Sequence, residues 1–278
     1  MNFMIKYYQS AVENIRKELK NYLLKYQLKS LVLGVSGGID SALSAALAAC
    51  VCAETGVKLI CRSLTILTNK AEEIKRARAV GEAFGTDFRE VDLSSAFNTL
   101  MYSTVEDYHS ENNENFDFKI RIGNLKARTR MIYLYDLAAK EKGMVISTDN
   151  YTELLLGFWT LHGDVGDYGM MQNLWKTEVY AMSRWLVQNE LPREQADALM
   201  SCAEAVPTDG LGITNSDLDQ IGAASYEEVD QILIAWMQNR EKPNVKNFKV
   251  VERNIRSEYK RNNPYNIPRQ LITDEPAY

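Results

Sequence analysis

Residues 31–44 read Leu-Val-Leu-Gly-Val-Ser-Gly-Gly-Ile-Asp-Ser-Ala-Leu-Ser, an apolar strand running into a glycine loop and then an alanine-rich helix. Gly37 and Gly38 let the backbone approach an anion closely, and the helix that follows aims its free N–H groups at the charge. Ser36 and Ser41 add hydroxyl donors, and Gly34 ends the strand beneath them. The loop lacks the Gly-Lys-Ser/Thr ending of a Walker A loop. Asp40 is the odd member, because a carboxylate beside phosphate is repulsive unless a cation lies between them. The combination points to a nucleotide carried with Mg²⁺ in a loop that holds pyrophosphate. An ordinary strand-to-helix turn would account for Gly-Gly-x-Asp alone, but not for this run of strand, loop and helix together.

The rest of the chain alternates in the same way. Ile5, Tyr8, Val12, Ile15, Leu19 and Tyr22 recur at three- and four-residue steps and predict an amphipathic first helix. Strands are expected at 31–35, 58–64, 88–93 and 144–147. Helices are expected to about residue 53, from a capping box opening at Asn69, and from about 124 to 142. Polar stretches at 106–117 and 200–225 read as loops. This order predicts a three-layer α/β/α fold with a mostly parallel, doubly wound sheet, the loop lying beyond the carboxyl ends of the strands. One domain spanning 1–278 accommodates it.

Composition excludes several classes. A net charge of −5 disfavours general nucleic-acid binding. The most apolar stretch, 42–53, is shorter than the ~20 residues of a membrane span. Cys50, Cys52, Cys61 and Cys202 show no Cys-x-x-Cys spacing and read as buried reduced thiols of a cytoplasmic protein.

The loop resembles the pyrophosphate loop of the ATP pyrophosphatases, which split ATP between its α and β phosphates to activate an acyl or similar oxygen as an adenylate. Further segments resemble one branch of them, the ammonia-dependent NAD synthetases. These are Gly123-Asn124-Leu125-Lys126-Ala127-Arg128-Thr129-Arg130-Met131, Ser147-Thr148-Asp149 with Glu153, and Gly157-Phe158-Trp159-Thr160-Leu161-His162-Gly163-Asp164. They continue with Leu174-Trp175-Lys176, Pro207-Thr208-Asp209-Gly210-Leu211, Tyr226-Glu227-Glu228-Val229-Asp230 and Ser257-Glu258-Tyr259-Lys260-Arg261. By that resemblance Asp40 and Glu153 hold Mg²⁺, and Gly34, Ser36, Gly37, Gly38, Asp40, Ser41, Thr148, Lys176 and Thr208 form the ATP site. Arg128, Asp167, Tyr259 and Lys260 fall to the acceptor dinucleotide. Lys119, Arg121, Lys126, Arg128 and Arg130 read as a basic cluster at a helix start, compensated by an anionic ligand.

The resemblance implies ATP- and Mg²⁺-dependent amidation of deamido-NAD by ammonia in a homodimer. Residues 1–30 are too few for an attached glutaminase domain, so free ammonia or a separate glutaminase supplies nitrogen. The chain departs from the family at Leu161 and His162, at Val165-Gly166-Asp167-Tyr168, at Asp217-Leu218-Asp219 and at Tyr259, all on the acceptor side. Those departures keep nicotinate mononucleotide open as acceptor. Another ATP pyrophosphatase, such as a GMP synthetase or a tRNA-modifying enzyme, and a non-catalytic nucleotide-binding regulator are the remaining alternatives. Leu125, Met131, Ile132, Leu134 and Tyr135 suit either a subunit interface or the core.

Overall fold

A computed structural model describes residues 4–67, 69–106, 115–208, 211–213, 216–239, 244 and 247–272. Five parallel strands lie in the order β3-β2-β1-β4-β5. They are β1 (Ser30–Gly34), β2 (Lys58–Thr65), β3 (Asp87–Asp92), β4 (Gly143–Ser147) and β5 (Tyr168–Gly169). Leu31 and Leu33 of β1 and Leu59 and Cys61 of β2 point into one apolar cluster, while Val32 and Ile60 point into another. Alternate residues of the central strands are therefore buried on opposite faces, which is why these strands read as unbroken apolar runs.

The first face is covered by α1 (Tyr8–Tyr26), α2 (Ile39–Thr55), α3 (Ala71–Phe84), α7 (Lys176–Asn189) and α8 (Arg193–Ala203). The second is covered by α5 (Phe116–Lys140), through Met131, Leu134 and Ala138. Between them along the chain run α4 (Ser94–Thr104) and α6 (Tyr151–Leu156). A smaller cluster joins α6 to α9 (Asp217–Ile221), α10 (Tyr226–Asn239) and α11 (Phe248–Arg256), with α12 (Glu258–Arg261) beyond. β1 pairs with β2 on one edge and β4 on the other, so the chain departs from β1 in both directions. The crevice at such a switch point lies at the carboxyl end of β1, directly above the glycine loop.

The expected parallel sheet between helical layers is the one observed. Several local expectations need correction. α5 opens at Phe116, not Asn124, because Asn115 caps it by accepting from the Phe118 N–H at 2.7 Å. Gly123 is an interior residue packed against Leu211 and Ile213, so the basic residues do not sit at a helix start. α3 begins one residue later than expected, since it is the Glu73 carboxylate that accepts from the Lys70 N–H. Asn69 instead accepts from the Ile66 N–H. The expected loop at 200–225 contains the end of α8 and all of α9. That at 106–117 falls mostly outside the described residues. Cys52, Cys61 and Cys202 are buried, but Cys50 is exposed.

Candidate active site

The loop after β1 is held open by its own hydroxyls. Ser41 Oγ accepts from the Ser36 N–H at 3.2 Å and donates to Gly38 O at 3.1 Å, and Ser36 Oγ accepts from the Gly38 N–H at 3.2 Å. Gly37 sits at φ +81°, and a Cβ there would fall 2.3 Å from Glu73 O, so only glycine fits between loop and α3. Gly38 is the N-cap of the 17-residue α2, whose free N–H groups face the crevice.

Three charged side chains meet beneath this loop. Lys176 Nζ, on the first residue of α7, lies 2.5 Å from Asp40 Oδ2 and 2.9 Å from Glu153 Oε1. Asp40 also accepts from Asn150 Nδ2 at 2.9 Å. Asn150 caps α6 by accepting from the Glu153 N–H at 3.0 Å, and its own N–H donates to Glu153 Oε2 at 3.4 Å, so one residue orients both carboxylates. Lys176 is fixed from behind: its N–H donates to Thr152 Oγ1 at 2.8 Å, and Thr152 donates to Asp230 at 2.5 Å. Asp230, the acid of the Tyr226–Asp230 motif, accepts from the Thr177 N–H and hydroxyl as well. It therefore ties α6, α7 and α10 together behind the charged cluster.

One ammonium serves two carboxylates here. Burial opposes the charge on Lys176, yet Asp40 and Glu153 hold it well above the ordinary lysine range. Glu153 is nevertheless pushed up, because burial and the neighbouring Asp40 outweigh the lysine. The cluster thus carries more carboxylate than its lysine can neutralise. Two hard oxygen donors sharing one ammonium and facing a phosphate loop fit Mg²⁺, which takes one or two carboxylates and completes its shell with phosphate and water. Among the described residues no group of three or more His, Cys, Asp or Glu side chains is placed to cage a metal.

The cavity above the loop measures about 430 Å³, within the range of small-molecule sites. Gly34, Ser36, Gly37, Gly38, Asp40, Ser41, Thr148, Glu153, Lys176, Thr208 and Lys260 all line it. Thr208 donates to Glu73 at 3.1 Å, bringing the 207–208 turn against α3. Lys260 Nζ donates to Gly157 O at 2.7 Å and to Trp159 O, over the Trp159 ring.

Three residues expected to bind the acceptor stand elsewhere. Arg128 is exposed and donates twice to Leu161 O, at 3.2 and 3.0 Å, without lining the cavity. Asp167 accepts from Tyr135 at 3.0 Å and from the Val145 N–H at 2.9 Å, an anchoring contact at the sheet edge. Tyr259 is 64 % exposed and also lies off the cavity.

Residues the sequence reading passed over complete the wall. Asp149 and Asp164 both line the cavity, and burial pushes their carboxyls up to about 7 and about 6. Arg253 lies over the Phe158 ring at 4.8 Å and donates to Leu156 O. Asp149 and Asp164 lie inside the motifs that carry Thr148 and Trp159, and their only signal in the sequence is that placement. Arg253 lies outside every motif of the resemblance and gives no signal.

The profile of the family described as NAD synthase matches residues 11–264. The chain belongs to the NAD synthase family. It is similar to the NH(3)-dependent NAD(+) synthetase of Thermoplasma acidophilum, at 39 % identity over 52 % of this chain and 57 % of that protein. The chain thus aligns with little more than half the length of that relative. It is 32 % identical to the NH(3)-dependent NAD(+) synthetase of Methanosarcina acetivorans over 70 % of this chain and 73 % of that one. Among solved structures, an NMN synthetase from Francisella tularensis superposes with TM-score 0.76 at 25 % identity, covering 95 % of this chain and 99 % of that one. Membership of the family removes the GMP synthetase and tRNA-modifying alternatives.

Proposed function

We propose that this NAD synthase family member amidates deamido-NAD with ammonia at the cost of ATP, giving NAD, AMP and pyrophosphate. The observation that carries this reading is the meeting of Asp40, Glu153 and Lys176 directly beneath a pyrophosphate-type loop. A carboxylate oxygen of the nicotinate attacks the α-phosphorus of ATP, and the bond to the β-phosphate oxygen breaks with its electrons on pyrophosphate. Ammonia then adds to the acyl carbon, loses a proton, and AMP departs. Such chemistry needs no side-chain nucleophile; it needs two polyanions held in line and donors placed where charge develops.

Ser36, Gly37, Gly38 and Ser41 clasp the departing pyrophosphate, while Thr148 and Thr208 flank the nucleotide. Mg²⁺ held by Asp40 and Glu153 would offset charge on the phosphates when bound. Lys176 keeps those two carboxylates apart and screened. Asp149 and Asp164, with carboxyls raised toward neutrality, are suited to accept the proton from the incoming nitrogen. Lys260 and Trp159 stand at the acceptor end, with Arg128 on α5 between the wall residues Ala127 and Met131.

The nitrogen source is free ammonia or a separate glutaminase, and the setting is the cytoplasm. No helix among the described residues is long and apolar enough to cross a membrane. A homodimer is supported by α5, where Arg121, Leu125, Arg128, Ile132, Tyr135 and Ala139 recur at alternating four- and three-residue steps. Ile132 is 63 % exposed on this stripe, whereas Met131 and Leu134 point into the core.

Nicotinate mononucleotide as acceptor is the second reading, supported by the likeness to an NMN synthetase along nearly its whole length. Purified protein given ATP, Mg²⁺ and ammonium separates the two when offered each acceptor in turn. Amide and AMP formed in equal amounts with deamido-NAD support the first reading. Preference for the mononucleotide supports the second, and no AMP with either contradicts both.

A further inference from the structure

The loop at 36–41 has no lysine of its own, yet a pyrophosphate leaving group gathers charge as its bond to the α-phosphorus breaks. We infer that Arg76, on the neighbouring helix α3, supplies that missing cation and binds the pyrophosphate directly. The inference rests on the reading of this loop as the pyrophosphate holder.

α3 is seated on the loop through its backbone, since a Cβ at Gly37 would meet Glu73 O at 2.3 Å and Ala77 N at 3.2 Å. Arg76 lies between those two residues. Its Nε donates to Gly37 O at 2.9 Å, and its side chain lines the cavity. The remaining guanidinium N–H groups have no hydrogen-bond or carboxylate partner among the described residues.

Other cations around the cavity are already engaged. Lys176 is held by Asp40 and Glu153, and Arg62 by Asp87 at 2.8 Å. Arg130 donates to Leu64 O and Asn69, and Lys260 to two carbonyls at the opposite end. Glu73 does not neutralise Arg76, because its carboxylate takes the Lys70 N–H at 3.2 Å, Asn69 at 3.5 Å and Thr208 at 3.1 Å. A guanidinium has five N–H donors in a rigid fork. With one of them spent on Gly37 O, four remain to meet phosphate oxygens. The arrangement clamps loop and leaving group with one side chain, through a fork that a lysine lacks.

Isothermal titration of Mg-pyrophosphate into the enzyme, with no other substrate present, tests this directly. Gln at position 76 can still donate to Gly37 O but carries no charge, so Arg76→Gln should weaken pyrophosphate binding at least tenfold. Arg76→Lys should fall between, restoring charge but not the fork. Binding of deamido-NAD in the absence of ATP, and the thermal midpoint, should stay as in the parent. In turnover, kcat/KM for ATP should drop about 100-fold in Arg76→Gln. A parent that binds pyrophosphate and an Arg76→Gln variant that binds it within twofold would overturn the inference alone. A parent that binds none would overturn the reading of the loop as well.

Discussion

On the phosphate side of the cavity, Lys176 Nζ lies within 2.9 Å of carboxylates contributed by two different helices. On the acceptor side, Arg128 is spent on a carbonyl, Asp167 on a tyrosine and a strand N–H, and Tyr259 on solvent. The first half is assembled by helix first turns that converge on the switch point of the sheet: Asp40 in α2, Glu153 in α6 and Lys176 in α7. Such termini are fixed by capping and packing before any ligand arrives. The second half hangs on the exposed face of α5, the turn after α6 and the short C-terminal helices, where cations rest on neutral carbonyls. Preorganised charge on one side and loosely engaged charge on the other is the division expected if ATP is activated by a finished site and the acceptor completes its own.

The largest effect should come from the finished half. Asp40→Asn should lower the rate of AMP formation by about 10²–10³-fold, the scale of removing one transition-state electrostatic contact, while the circular dichroism spectrum is unchanged. Retention of turnover within a few-fold would break the comparison outright. Next is Lys260→Ala, which removes a charged donor from the acceptor end; it should raise the acceptor KM about tenfold or more and leave the ATP KM within about twofold. An equal rise in both constants would show that the halves are not separable.

Asp149→Asn should show a pH-dependent gain in stability. The carboxyl, ordinarily near 3.8, is pushed up to about 7 by burial first and then by Asp164, so the native state binds more protons than the unfolded chain between those values. Stability of the parent therefore falls as pH rises through that window, and the neutral asparagine escapes the loss. The variant should melt about 3 °C or more above the parent at pH 8, with the gap closing toward pH 4. The smallest effect on turnover is expected from Asp167→Asn. It should cost about 1 kcal/mol of stability in urea titration through the Val145 N–H and Tyr135 contacts, with AMP formation within about twofold of parent. A hundredfold loss of turnover there would put Asp167 back among the acceptor ligands.

The phosphate half was legible because it is local. A glycine loop between an apolar strand and a helix places Ser36, Gly37, Gly38, Asp40 and Ser41 by chain geometry alone. Glu153 and Lys176 came from the family resemblance instead, since a first-turn acid and a lysine opening a helix carry no signal of their own. The acceptor half depends on side-chain direction across elements, which no local pattern encodes. Whether Arg128 faces the cavity is decided by the turn of α5 and by where Leu161 O happens to lie. Asp167 directly follows Gly166, which packs against β4, and that close packing turns it to the strand edge. The missed strand β5 is only two residues long, and α4 is a polar helix with one fully buried apolar residue, Phe97, so neither gave a periodic signal. On α5 the sequence left Leu125, Met131, Ile132, Leu134 and Tyr135 undivided, whereas Met131 and Leu134 face the core and Ile132 and Tyr135 do not.

In the proposed reaction the acceptor carboxylate itself attacks the α-phosphorus. Acceptor labelled with ¹⁸O in the nicotinate carboxylate should transfer one label to the phosphate of every AMP released, read by mass spectrometry. AMP formed without label, its oxygen drawn from solvent, would mean that ATP is split by water and that no acyl-adenylate is made.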